Sequence, residues 1–204
     1  MAKMESRPCN VVLLPCKPLA DKAIEISEIL RSDETLFTLQ DGNFYPHISL
    51  YMLELRVDDC KKVQEVLQSI SAAESAQDLV ATKYNQKMGF LDAEYALTPG
   101  LCDVQDLIVD ALNPIRNGMR EKDKVRMEQA DGLKREYFEK YGYPNVKELF
   151  RPHLTLTRFN HENWFDTAKL PRISVFSGYF NRLGLFESGD NGTCVRLISS
   201  YNLK

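Results

Sequence analysis

The chain is expected to adopt an α+β fold built from two similar halves that face each other across a cleft. Three observations predict it. The octapeptide Phe44-Tyr45-Pro46-His47-Ile48-Ser49-Leu50-Tyr51 recurs about half a chain later as Phe150-Arg151-Pro152-His153-Leu154-Thr155-Leu156-Thr157. Both copies alternate with period two, which marks strands. Strands and helices alternate in a similar order around each copy, a pattern that suggests duplicated layers with helices on the outer faces of two antiparallel sheets.

Taken in order, Asn10 to Leu14 is a short apolar run closed by Pro15 and Pro18, and reads as a buried strand. Leu19, Ala23, Ile26 and Leu30 fall at helical spacing and predict an amphipathic helix over 19–31. Asp41-Gly42-Asn43 is a turn that delivers the chain into the first octapeptide strand, expected over 44–55. Asp58 or Asp59 is the expected cap of a helix with Val63, Val66, Leu67 and Ile70 inward, and 78–84 reads as a strand.

The second half opens with a strand over 89–97, broken by Thr98-Pro99-Gly100. Asp103 is the expected cap of a helix with Val104, Leu107, Ile108, Ala111 and Leu112 inward. The segment 121–141 is charge-rich and helical, with Val125, Leu133, Tyr137, Phe138 and Tyr141 as inner contacts and Gly132 as a weak point. It reads as a packing helix or solvated lid in preference to a binding surface. The second octapeptide strand runs to Phe159. A short helix is expected over 161–168, then a hairpin of 173–187 and 193–199 around Ser188-Gly189-Asp190-Asn191-Gly192.

Composition bounds the function. The 204 residues suit one domain, with lobes over about 10–84 and 88–204, and 44% hydrophobic residues suffice for a core. A net charge of −3 argues against a general grip on extended duplex nucleic acid, while leaving room for a small phosphate ligand. Five cysteines without Cys-x-x-Cys spacing read as reduced thiols. No apolar signal core or membrane-length run is present, so no membrane partner is expected, and the cytosol, or else the nucleus, is the expected compartment. A monomer without cofactor is expected.

His47 and His153 are two of only three histidines, and each precedes a hydroxyl, Ser49 or Thr155, by two residues. Positions i and i+2 of a strand share a face. Two imidazoles in one cleft suit a reaction that takes one proton and gives another near neutral pH. The hydroxyls would hold charged oxygens. Phosphodiester cleavage needs this set and requires no metal. A serine nucleophile fits less well, because no Gly-x-Ser-x-Gly elbow exists.

Pro46-His47-Ile48-Ser49 and Pro152-His153-Leu154-Thr155 resemble the paired His-x-Ser/Thr motifs of the 2H phosphoesterase superfamily, which includes 2′-5′ RNA ligase-like RNA 2′,3′-cyclic phosphodiesterases. The resemblance implies a single domain of two ferredoxin-like lobes. It implies catalytic roles for His47 and His153, phosphate-holding roles for Ser49 and Thr155, no metal, and a cyclic phosphate, small nucleotide or RNA end as substrate. The 121–141 segment is not part of that family's minimal pattern. Two alternatives remain: a nucleotide or RNA-end binding module without chemistry, and 2′-5′ end joining by the reverse reaction.

Tyr45 and Tyr51 share the His47 face by parity, either to stack a base or to fill structure. Arg151 shares the His153 face, as phosphate ligand or surface ion pair. Arg158 points away unless a bulge shifts the register. His161 and Trp164 read as packing or surface residues. No spacing supplies a convincing zinc site.

Overall fold

The structure, a computed structural model, describes residues 5–161 and 165–204. Trp164 lies outside the described residues. Among the described residues eight strands form one antiparallel sheet: β1 (Ser6–Pro15), β2 (Ile48–Arg56), β3 (Gln77–Leu79), β4 (Ala81–Lys87), β5 (Phe90–Tyr95), β6 (His153–Arg158), β7 (Gly178–Ser188) and β8 (Cys194–Asn202). Their order is β3-β7-β1-β2-β6-β5-β4, with β8 paired to β7. β2 and β6 meet through one residue pair, Ile48 with Leu154. The sheet therefore has two wings, one on either side of this junction, and each carries one octapeptide strand at its inner edge.

The wings do not follow the halves of the chain. The strand expected over 78–84 divides at Val80: β3 lies against β7 in one wing, and β4 crosses to β5 in the other. β7 and β8 pair with the wing that holds β1. The hairpin expected at the C-terminal end is present, but residues 173–176 form a 3-10 turn in front of β7.

Among the described residues five α-helices accompany the sheet: α1 (Lys17–Ile29), α2 (Cys60–Ala73), α3 (Pro99–Leu112), α4 (Glu121–Glu128) and α5 (Gly132–Tyr141). Their apolar faces bury Leu19, Ala23 and Ile26, then Val63, Leu67 and Ile70, then Leu101, Val104, Ile108 and Leu112. α1 packs against β6 and α3 against β2, so each of these helices supports a motif strand from the other half of the sequence. Among the described residues no helix is long and apolar enough to cross a membrane.

Several expected boundaries move for identifiable reasons. The Thr98 hydroxyl accepts from the Leu101 amide and caps α3, and Pro99 sits at the first helical position, where its missing N–H costs nothing. Thr98-Pro99-Gly100 thus starts the helix, and Asp103 does not cap it. Asp59 pairs with Arg56 (2.6 Å) and makes no cap bond to α2. The 121–141 segment is two helices. Gly132, with φ +49°, opens the second. Val125 and Leu133 are exposed, while Tyr137, Phe138 and Tyr141 are buried as expected. α4 is anchored by a buried ion pair between Arg120 and Asp123, with the Arg120 guanidinium over the Tyr143 ring. Residues 167–169 make only a 3-10 turn.

The β4–β5 hairpin turns on Met88 and Gly89, both at positive φ, as a two-residue loop with native twist requires. A Cβ at Gly89 would sit 2.6 Å from the Phe159 carbonyl oxygen, whereas one at Gly42 would meet nothing within 4 Å. Gly89→Ala is expected to lower stability by about 1–3 kcal/mol from backbone strain alone, with the Phe159 clash added. Gly42→Ala should cost visibly less. Paired urea melts check the difference.

Candidate active site

Each histidine lies at the mouth of its motif strand. His47 immediately precedes β2 and His153 opens β6, with Pro46 and Pro152 just before them where no ladder donor is lost. β2 and β6 are antiparallel through Ile48 and Leu154. Continuing that register by one residue sets His47 across from Thr155 and Ser49 across from His153. Ile48 and Leu154 are fully buried, while the two histidines and two hydroxyl residues are half-buried on the opposite face. The fold thus brings the four residues together around a pseudo-two-fold axis, each histidine beside the other motif's hydroxyl.

The imidazoles are held alike. His47 Nδ1–H donates to the Tyr45 carbonyl at 2.6 Å, and His153 Nδ1–H donates to the Arg151 carbonyl at 2.7 Å. A carbonyl only accepts, so each Nδ1 carries a proton and the neutral ring presents Nε2 as an acceptor. Desolvation lowers the His47 pKa to about 4. The Tyr45 and Gly192 backbone contacts oppose that shift, and the charge of His153 adds to it, which also shows that the rings sense one another. His47 is therefore a neutral base at neutral pH.

The hydroxyls have different second partners. The Asn10 amide donates to Ser49 Oγ at 2.8 Å and lies 3.4 Å from His47 Nε2. Asn10 is fully buried, and its Oδ1 has no hydrogen-bond partner. Because Ser49 accepts from Asn10, its own proton is free to donate. Thr155 instead donates to Asp92 Oδ1 at 2.6 Å. Burial pushes the Asp92 carboxyl pKa up, against the charge of His153 and hydrogen bonds from Thr155 and Asn85. Asp92 lies directly across from Thr155, whereas Asn10 reaches Ser49 diagonally from two residues before its ladder partner Val12, so one hydroxyl meets a carboxyl and the other an amide.

Both motif strands are bulged at the same point. Val11 pairs with Tyr51 and Val12 with Ser49, leaving Leu50 over; Leu91 pairs with Thr157 and Asp92 with Thr155, leaving Leu156 over. An extra residue reverses the alternation beyond it. Tyr51 therefore points into the core, fully buried, with its hydroxyl donating to the Tyr141 carbonyl (2.7 Å). The expectation that Tyr51 shares the His47 face is corrected. Thr157 turns in the same way and donates to the Phe37 carbonyl (2.6 Å).

The second bulge also redirects Arg158. Its guanidinium lies over the Phe90 ring and donates to Asn191 Oδ1 at 2.6 Å. Arg151 is exposed and ion-paired with Glu94 at 2.6 Å, so its charge is committed there. His161 pairs with Glu34 at 2.9 Å, away from the motifs.

A small pocket open to solvent is lined in part by His47 and Thr155. Its lining adds the apolar Phe37, Leu39, Phe44 and Tyr45 and the turn residues Asn191, Gly192 and Thr193. Phe44 lies outside the strand with φ +53°, and Tyr45 leans on Phe186 with ring centres 4.9 Å apart. Sequence reasoning placed Tyr45 here but missed Asn10, Asp92, Phe37 and the 191–193 turn. The one available signal was a polar residue inside each of two apolar strands.

A family model described as "Protein of unknown function (DUF1045)" matches residues 56–170, a span that includes the second motif and begins after the first. Comparison with curated proteins found no match. Among solved structures, Escherichia coli LigT complexed with phosphate is 13% identical with TM-score 0.60, covering 98% of this chain and 99% of that one. LigT complexed with 3′-AMP is 13% identical with TM-score 0.61 over the same shares. TT0787 of Thermus thermophilus is 14% identical with TM-score 0.57, covering 96% and 97%. The LigT-like fold expected from the paired motifs is thus the observed one.

The depressed His47 pKa has a consequence for stability. Between about pH 6.5 and 4 the unfolded chain protonates His47 while the native state does not, so stability from this group falls as pH falls through that window. Asp92, with a raised pKa, acts in the opposite sense. The difference between wild type and His47→Gln in denaturant melts from pH 7 to 4 is therefore expected to isolate the histidine, with wild type losing more stability on acidification.

Proposed function

We propose that this chain, which belongs to the DUF1045 family, is a metal-independent phosphodiesterase that opens a 2′,3′-cyclic phosphate or cleaves a short RNA phosphodiester. The observation that carries the reading is the matched pair of imidazoles, each fixed through Nδ1 and presenting Nε2 as an acceptor when neutral. LigT, which shares the fold, has been complexed with phosphate and with 3′-AMP, and this supports a nucleotide phosphate as the ligand.

His47 is assigned as general base and His153 as general acid. Neutral His47 takes a proton from the attacking water through Nε2. His153, its ring fixed by the Arg151 carbonyl, gives a proton to the departing ribose oxygen. The P–O bond to that oxygen breaks as the bond to water forms, and the two histidines then exchange their states through solvent. Ser49, its proton free, donates to a non-bridging oxygen as charge builds there. Thr155 positions the Asp92 carboxyl beside His153 and lines the phosphate site. The aromatic rings of Phe44 and Tyr45 offer a surface for a base.

Hydrolysis of a panel of nucleoside 2′,3′-cyclic phosphates in EDTA tests the reading. Wild type is expected to turn over. His47→Ala and His153→Ala should each fall by roughly 10²–10⁴ in kcat while keeping the native circular dichroism spectrum. Near-wild-type rates in both variants would sink the assignment. Ser49→Ala is expected to lose about 1–3 kcal/mol of transition-state stabilisation, seen mainly in kcat. A change confined to KM would remove Ser49 from that role.

A further inference from the structure

Ser27 and Gln105 are fully buried polar side chains on the apolar faces of α1 and α3. Neither belongs to the quartet, and a buried polar group persists only where its hydrogen bonds are used. The Ser27 hydroxyl donates to the Leu156 carbonyl at 2.6 Å and accepts from the Leu39 amide at 2.8 Å. The Gln105 amide donates to the Leu50 carbonyl at 3.1 Å, and its oxygen accepts from the Lys147 amide at 3.1 Å.

Leu156 and Leu50 are the two bulge residues, each next to a motif hydroxyl. Leu39 and Lys147 lie on the segments that lead into His47 and His153. The wiring is crossed: Ser27 joins the approach to the first motif to the bulge of the second, and Gln105 joins the approach to the second to the bulge of the first. The two motif strands themselves share a single pair. Tyr51 and Thr157 repeat the crossing, each bonding a carbonyl from the other motif's approach, those of Tyr141 and Phe37.

We infer that Ser27 and Gln105 are positioning residues that set the distance and angle between the two histidines by bracing each bulge against the other motif's approach. The inference rests on the two-histidine reading above. A bulge leaves carbonyls outside the ladder, and one held by a buried side chain cannot drift. A misplacement of about 1 Å between reacting groups can cost on the order of 10²-fold in rate.

The test measures cyclic-phosphate turnover, melting temperature and the imidazole NMR resonances of His47 and His153 in full-length Ser27→Ala and Gln105→Met. Each variant is expected to lose about ten- to a hundred-fold in kcat, well below its melting temperature, with KM within about two-fold. Each should move both imidazole resonances, because each brace spans both motifs. Ser27→Thr, which keeps the hydroxyl, should restore most of kcat and guards against loss by misfolding. A lower melting temperature with kcat and both rings unchanged would make the braces merely structural and overturn the inference. Should wild type itself fail to turn over, the phosphodiesterase reading fails, and the rings then decide: both moving in each variant supports the braces, and neither moving overturns them.

Discussion

Ile48 and Leu154 face each other across the pseudo-two-fold axis, and the site depends on that one pairing. It joins two wings that otherwise have separate ladders. It also sets which residues lie opposite which, since a slip of one position would send both histidines into the helix-packed core and expose the two apolar partners. The full burial of Ile48 and Leu154 therefore anchors the histidine-bearing face from behind. Transfer of such side chains from water is worth roughly 1.5–3 kcal/mol each, enough to make the correct register the populated one.

Burial on one face of the sheet shapes the chemistry on the other. β1 is covered on both sides: Cys9, Val11 and Leu13 meet the helices, while Val12 and Leu14 pack with Phe186 and Cys194 beside Tyr45. Asn10 sits in this dry layer and directs its amide at Ser49. The same dryness keeps His47 neutral. Beside Thr155 the polar partner is a carboxyl, so a nearly symmetric backbone sets an amide at one motif and an acid at the other.

Much of this was legible in the chain. The repeated octapeptide carried the strands, the shared face of His47, Ser49, His153 and Thr155, and the two-lobed outline. The spacing of Leu19, Ala23 and Ile26, or of Val63, Leu67 and Ile70, located the helices. Two of the failures share a cause. Parity assumes a regular ladder, and the bulges at Leu50 and Leu156 reversed it for Tyr51 and Arg158. Nothing in a Leu between a hydroxyl and a Tyr or Thr announces a bulge; the helix partners that hold its carbonyl, Gln105 and Ser27, lie 55 and 129 residues away. Long-range pairing also decided that 78–84 divides at Val80 and that Asn10 and Asp92 reach the motifs. Local propensity has no access to such contacts.

The most direct measurement is a titration of the ¹³C-histidine-labelled protein with 3′-AMP in EDTA, following the ring resonances of His47, His153 and His161. One cleft served by two imidazoles predicts that His47 and His153 shift together along a single one-to-one isotherm, while His161, paired with Glu34, stays in place. Response at one motif histidine alone, or at the two with different affinities, would contradict the shared site.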